Sequence, residues 1–132
     1  MIAVDPRSQL LRWALVVGAA AGLLAVMAGA FGAHGLRQVV SERSLEVFQT
    51  AARYQMYHAL ALVVGSLLPV VGLRRKWVSL ACGFWLVGML IFSGSLYLLV
   101  LTGIHWLGAV TPVGGVCLLL GWAALIGAAL KQ

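Results

Sequence analysis

The sequence predicts an all-α membrane protein: a four-transmembrane-helix bundle with an amphipathic interfacial extension before the second span. Two observations lead there. Of the 132 residues 63% are hydrophobic and 9% are charged, and the charges fall in a few short breaks. No charged residue lies between Arg12 and Arg37, between Arg53 and Arg74, or from Val78 through Leu130. Apolar stretches of that length match the roughly 20 residues that cross a bilayer, and exceed what a soluble core of this size can hide. A chain this short is a single domain, 1–132.

The four spans follow in order. The first covers about 13–33 and closes in Gly32-Ala33-His34-Gly35, with Gly35 placed to stop a helix. A polar segment, 36–53, precedes a second span over 54–72. Leu73-Arg74-Arg75-Lys76-Trp77 is then a tight connection with three positive charges. The third span, 78–101, is interrupted near its middle by Ser93-Gly94-Ser95. An uncharged stretch leads to Thr111-Pro112, a cap residue followed by proline at a first helical position, which opens the fourth span over 112–130.

Charge placement orients the bundle. With four spans, Arg7, Arg12, Arg74, Arg75, Lys76 and Lys131 share one side, and Arg37, Arg43 and Arg53 share the other with Glu42 and Glu46. Six cations against three put both termini in the cytoplasm by the positive-inside rule. The first apolar stretch ends in Ala28-Gly29-Ala30, a small-residue cleavage pattern. It outruns the about 7–15 residues of a signal peptide's apolar region, so it reads as a span. The net charge of +6 flanks apolar segments and forms no basic run, which excludes a nucleic-acid binder. Cys82 and Cys117 both lie inside spans, so no disulfide framework is legible.

Small residues mark the packing faces. Ala14, Gly18, Gly22, Ala25, Gly29 and Gly32 recur at spacings of three and four in the first span, which places them on one face. Gly114, Cys117, Gly121, Ala124 and Ala128 repeat the device in the fourth. Lipid supplies no hydrophobic drive for helices to associate, so close backbone approach must do it. The stripes are expected to serve packing within the chain first. A homo-oligomer is the competing use.

The stretch from Ser44 to His58 is the most chemically varied. Ser44 can cap a helix, and Glu46 suits a first turn. Leu45, Phe48, Ala52 and Met56 share one face, and Glu46, Gln49, Arg53 and Tyr57 another, so the helix starts amphipathic and runs into the membrane. His58 aligns with Ala51, Ala61 and Gly65 and therefore points inward. A polar side chain inside a bundle marks a functional candidate. The plainer reading is an interhelical hydrogen bond. The candidate cluster, ligand-binding or structural, is His34, Arg53, Gln55, Tyr57 and His58. In it His34 and His58 form an inward-facing site, Arg53 holds its mouth, and Gln55 bonds a loop or another helix.

These residues carry a resemblance. Gly32-Ala33-His34-Gly35-Leu36, the run from Thr50 to Ala61, Phe92-Ser93-Gly94-Ser95-Leu96-Tyr97 and Thr111-Pro112-Val113-Gly114-Gly115 resemble the YgdD-type family of small bacterial inner-membrane proteins, a domain-of-unknown-function family with animal relatives. The likeness covers nearly the whole chain and implies four spans in the inner membrane. It implies no activity. His34, Arg53, Gln55, Tyr57 and His58 lie in the matching motifs, and His105 lies outside them.

Three function classes follow. A zinc-protease HExxH, a nucleophile elbow, a phosphate-binding loop and paired carboxylates are all missing, and the acids are Asp5, Glu42 and Glu46 alone. An enzyme is therefore not expected, and neither a cofactor nor a metal is called for. The leading class is a structural or accessory membrane protein that binds lipid or a partner complex. The second is a small-molecule, lipid or ion binder or transporter using the outward polar cluster. The third is a haem or metal carrier through His34 and His58, with His105 near the same face.

Overall fold

The computed structural model describes residues 5–131. Four helices account for most of them: α1 (Arg12–His34), α2 (Glu42–Leu67), α3 (Arg75–Thr102) and α4 (Leu107–Leu130). There is no strand among the described residues. The helices hold 23 to 28 residues, or about 35 to 42 Å at helical rise. Each is long and apolar enough to cross a membrane. Consecutive helices pack on one another, so α2 and α3 form the central pair, with α1 laid on α2 and α4 on α3.

The connections explain this order. Ser41 caps α2, its hydroxyl accepting from the Ser44 amide at 3.1 Å. The cap thus lies three residues before the expected Ser44, which serves as the donor. From there α2 runs unbroken to Leu67, as the amphipathic reading requires. A 3-10 turn at Leu68–Val71 follows, and Gly72 at φ 109 closes it in a left-handed conformation that glycine alone adopts cheaply. The N-terminal arm is tied to this turn. The Leu11 amide donates to the Ser66 carbonyl at 3.0 Å, and the Arg75 guanidinium reaches the carbonyls of Ser8, Gln9 and Leu10 at 3.0 to 3.4 Å. Arm and turn therefore share one end of the bundle.

Gly35 ends α1 as expected, at φ −87, and the chain continues directly into a 3-10 turn at Leu36–Gln38. Two local expectations are corrected. Ser93-Gly94-Ser95 does not interrupt α3, because the two hydroxyls bond to carbonyls and to Thr111 without opening the helix. Thr111-Pro112 does not open α4. That helix begins at Leu107, and Pro112 stands inside it. Proline's fixed φ suits a helix, and this close to the N-terminus its missing N–H costs a single hydrogen bond.

The packing stripes are largely as read. Ala14, Gly18, Ala25 and Gly32 are buried on α1, and Gly114, Gly121, Ala124 and Ala128 on α4. A methyl group on Gly18 would stand 2.9 Å from the Ala59 carbonyl oxygen, and one on Gly121 would stand 2.5 Å from Trp85 Nε1. Both stripes are thus spent on seams within the chain. Gly29 departs from the prediction: nothing lies within 4 Å of a methyl group added there. Gly22 makes only ordinary contacts, 3.8 Å to Ala59, while Ala21 takes the buried place on that turn. The cause is helical spacing: at about 3.6 residues per turn Gly22 and Gly29 are rotated to one side of the buried row of Gly18, Ala25 and Gly32, and Ala21 to the other.

Candidate functional site

Among the described residues, the buried amide and imidazole side chains both belong to α2. Gln55 and His58 are 9% and 5% exposed, although neither can shed its hydrogen-bonding groups. In hydrocarbon an unpaired polar group costs several kcal/mol, on the order of a whole interhelical contact. Each of these side chains is paired across a seam.

Gln55 connects three helices. Its Nε2 donates to the Ala21 carbonyl of α1 at 2.8 Å, and its Oε1 accepts from the Tyr97 hydroxyl of α3 at 2.7 Å. The assignment of the amide follows from chemistry, because a carbonyl can only accept. His58 connects to the fourth helix. Trp122 of α4 donates its indole N–H to His58 Nε2 at 3.1 Å, and His58 Nδ1 faces the Tyr54 carbonyl at 2.8 Å. Indole only donates and a carbonyl only accepts, so the ring is the neutral tautomer with its proton on Nδ1. Between them, Gln55 and His58 tie α2 to every other helix. Ser93 adds a further tie, its hydroxyl donating to the Ala51 carbonyl at 2.8 Å.

Aromatic rings enclose the network. Phe48 and Tyr97 meet edge to face with centroids 5.0 Å apart, and Tyr54 leans on Phe92 at 4.8 Å. Trp122 stands 5.9 Å from the His58 ring and 4.7 Å from Trp85. The Trp85 indole N–H is the buried side-chain donor left without a partner among the described residues. It lies against Gly121, so the close α3–α4 seam is bought with one unsatisfied group.

The expected cluster therefore divides. Gln55 bonds other helices, as anticipated, and His58 is buried, as anticipated. His34 is exposed at the end of α1, and it does not line the cavity that His58 shares with Tyr54, Phe92 and Trp122. Gly32, two residues before it, packs on Phe48 and Gln49. His58 lies ten residues beyond Phe48, about 15 Å further along α2. Depth along the helix separates the two histidines, which residue type alone did not reveal. Arg53 is exposed on the outer side of α2, and Tyr57 is 53% exposed with its ring 5.6 Å from Tyr54. Neither closes a mouth over His58. His105 is exposed between α3 and α4. Among the described residues no three His, Cys, Asp or Glu side chains gather as a metal site would require.

The residues that complete the network are Tyr97, Ser93 and Trp122. Ser93 and Tyr97 are four apart and so share a face of α3. That spacing was readable in the sequence. Trp122 carried a weaker signal, a tryptophan in mid-span, where an indole N–H needs an acceptor.

Comparison with known proteins is informative about kinship. A family model described as "Protein of unknown function (DUF423)" matches residues 28–115, which include every residue of the network except Ala21 and Trp122. The chain belongs to the DUF423 family. A UPF0382 membrane protein of Staphylococcus aureus (strain bovine RF122 / ET3-1) is 44% identical over 89% of this chain and 94% of its own length. The UPF0382 membrane protein YwdK of Bacillus subtilis is 43% identical over 89% and 95%. No solved structure matches. With its four apolar helices and relatives named as membrane proteins, this DUF423 chain is a small multi-pass membrane protein.

Proposed function

We propose that this protein is a structural or accessory component of the bacterial inner membrane that performs no reaction and holds lipid or a larger membrane-protein partner on its outer faces. One observation carries the reading: the hydrogen-bonding positions of Gln55 and His58 are consumed by bonds within the bundle. Gln55 has both ends of its amide occupied, and His58 both ring nitrogens. An acid, base or metal ligand needs at least one of these positions free. Haem ligation by His58 would have to displace Trp122, and the distance along α2 denies it His34 as a second ligand.

Two finer points belong to the same reading. The bias of six cations against three supports an orientation with both termini in the cytoplasm. The order of the motifs through Gly32, Arg53, Ser93 and Pro112 supports a kinship with YgdD-type proteins.

Purification at native expression from detergent-solubilised membranes tests the proposal. A defined lipid or membrane-protein partner at fixed stoichiometry is the expected result. Pure protein that moves a solute or ion across liposomes, or that carries a haem absorbance band, refutes it.

A further inference from the structure

A large groove lies on the outside of the bundle, against α3 and bordered by Cys117 of α4. It measures about 810 Å³, and Lys76, Trp77, Leu80, Gly83, Phe84 and Val87 line it. From Lys76 to Val87 is eleven residues, about 16 Å at helical rise. That is close to half of the ~30 Å hydrocarbon thickness of a bilayer. The groove thus runs from the level of the headgroups to near the midplane, the depth of one acyl chain in one leaflet. Its floor is apolar, and its single charge stands at the outer end.

Charge at that end favours an anion. Lys76 is exposed at the mouth, while neighbouring Arg75 is engaged by the carbonyls of the N-terminal arm. Trp77 packs on Gly127 of α4, so the exposed Lys131, four residues on, stands one turn further out at the same end. Glu42 and Glu46 belong to the opposite end, at the start of α2, and Asp5 is the one acid of the N-terminal arm. Ser79 adds a hydroxyl to the lining just below Lys76. A basic residue next to an interfacial tryptophan, above an apolar slot one leaflet deep, has the charge and shape of a site for a charged lipid.

We propose that this groove binds one anionic phospholipid, with its phosphate on Lys76, the Trp77 indole at the interface, and an acyl chain along Leu80, Gly83, Phe84 and Val87. The inference rests on the accessory reading above and names the lipid class. A second copy of the chain suits the groove less well. Copies inserted in the same orientation would bring their Lys76 and Lys131 ends to the same depth, where like charges repel.

Gly83 makes the test clean. Nothing stands within 4 Å of a methyl group placed there, so a larger side chain fills the groove without touching a helix seam. The wild type, Lys76→Gln and Gly83→Leu are reconstituted in nanodiscs of phosphatidylcholine with phosphatidylglycerol, and retained lipid is counted by native mass spectrometry. The wild type is expected to keep one phosphatidylglycerol in preference to phosphatidylcholine. Lys76→Gln should cut that preference about fivefold, the worth of one basic residue at an anionic surface. Gly83→Leu should remove retention of either lipid while its unfolding midpoint stays at the wild-type value. Retention by Gly83→Leu equal to wild type overturns the inference. So does a lipid-free wild-type dimer that Gly83→Leu breaks, which would make the groove an interface between copies. If neither lipid is retained but a membrane-protein partner still co-purifies, the groove assignment fails and the accessory reading stands.

Discussion

Replacing Gln55 with leucine probes the polar network at its centre, and the structure gives the size of the effect. Leucine nearly matches glutamine in volume, so packing against α1 and α3 is kept and two hydrogen bonds are lost. The two losses are unequal. The Ala21 carbonyl lies within α1, where the backbone ladder already supplies it a partner, so it is not left bare. The Tyr97 hydroxyl, half-buried, has no other partner among the described residues. Hydrogen bonds between membrane helices average about 0.6 kcal/mol and reach about 1.7. An orphaned buried group costs about 1–3 kcal/mol. Gln55→Leu should therefore cost roughly 1.5 to 3 kcal/mol. Tyr97→Phe leaves the buried Gln55 Oε1 without its donor while Nε2 stays on Ala21, so it should cost about 1–3 kcal/mol. The double variant removes both partners, so it should be less destabilised than the sum of the singles by about 0.5 to 1.5 kcal/mol. The assay is reversible unfolding in mixed micelles, followed by helical circular dichroism. Strictly additive losses would mean that Gln55 and Tyr97 do not share a bond, and the account of how α2 holds α3 would fall.

Further outcomes follow from the same geometry. Gly121→Ala should destabilise by about 1–3 kcal/mol, the range for overpacking, because its methyl group would stand 2.5 Å from Trp85 Nε1 and 3.1 Å from the Ala81 carbonyl. Gly29→Ala, with nothing within 4 Å, should lose no stability, and equal effects at the two positions would defeat the seam assignment. Nitrogen-15 NMR of selectively labelled histidine should find His58 neutral with its proton on Nδ1, and Trp122→Phe should alter the Nε2 resonance; a proton on Nε2 in the wild type contradicts the bond from Trp122. An impermeant thiol reagent added outside intact cells should label a cysteine placed at Ser41 and spare one at Arg75. The reverse pattern inverts the proposed orientation.

The sequence revealed the number of spans and the stripes because both depend on residue type alone. Charge-free runs mark what lipid accepts, and glycine rows mark where a backbone can come close. Helix ends were less legible. Ser41 and Ser44 are equally good cap residues, and only the path of the preceding turn decides that Ser41 serves. Thr111-Pro112 is an opening signal in isolation, yet Gly108-Ala109-Val110 ahead of it is apolar enough to join the helix. The network was half visible. That Gln55 and His58 need partners is chemistry of the residues themselves. That the partners are Tyr97 and Trp122 depends on how far the helices slide along one another, which no single helix encodes. His34 was drawn into the cluster for its residue type, and its place at the tip of α1 excludes it.

The arrangement inverts the rule of soluble cores. Of the four spans α2 is the least apolar, and it is also the most buried. Water would pull such a helix to the surface, whereas lipid offers Gln55 and His58 nothing to bond and drives them inward. Once inside they require acceptors and donors at fixed heights, and Ala21, Tyr97 and Trp122 supply these from three directions. The glycine stripes of α1 and α4 permit close approach but cannot by themselves fix register, since a smooth seam can slide by a turn. The polar bonds fix it. Specificity of assembly therefore resides in α2, and tightness in the outer pair. Substitutions at Gln55 or His58 should accordingly broaden the set of packed states before they unfold the protein. Loss of resolved tryptophan indole signals in NMR, with helical circular dichroism unchanged, is the expected signature. Unfolding with no such intermediate loss would show that register and stability are set by the same contacts.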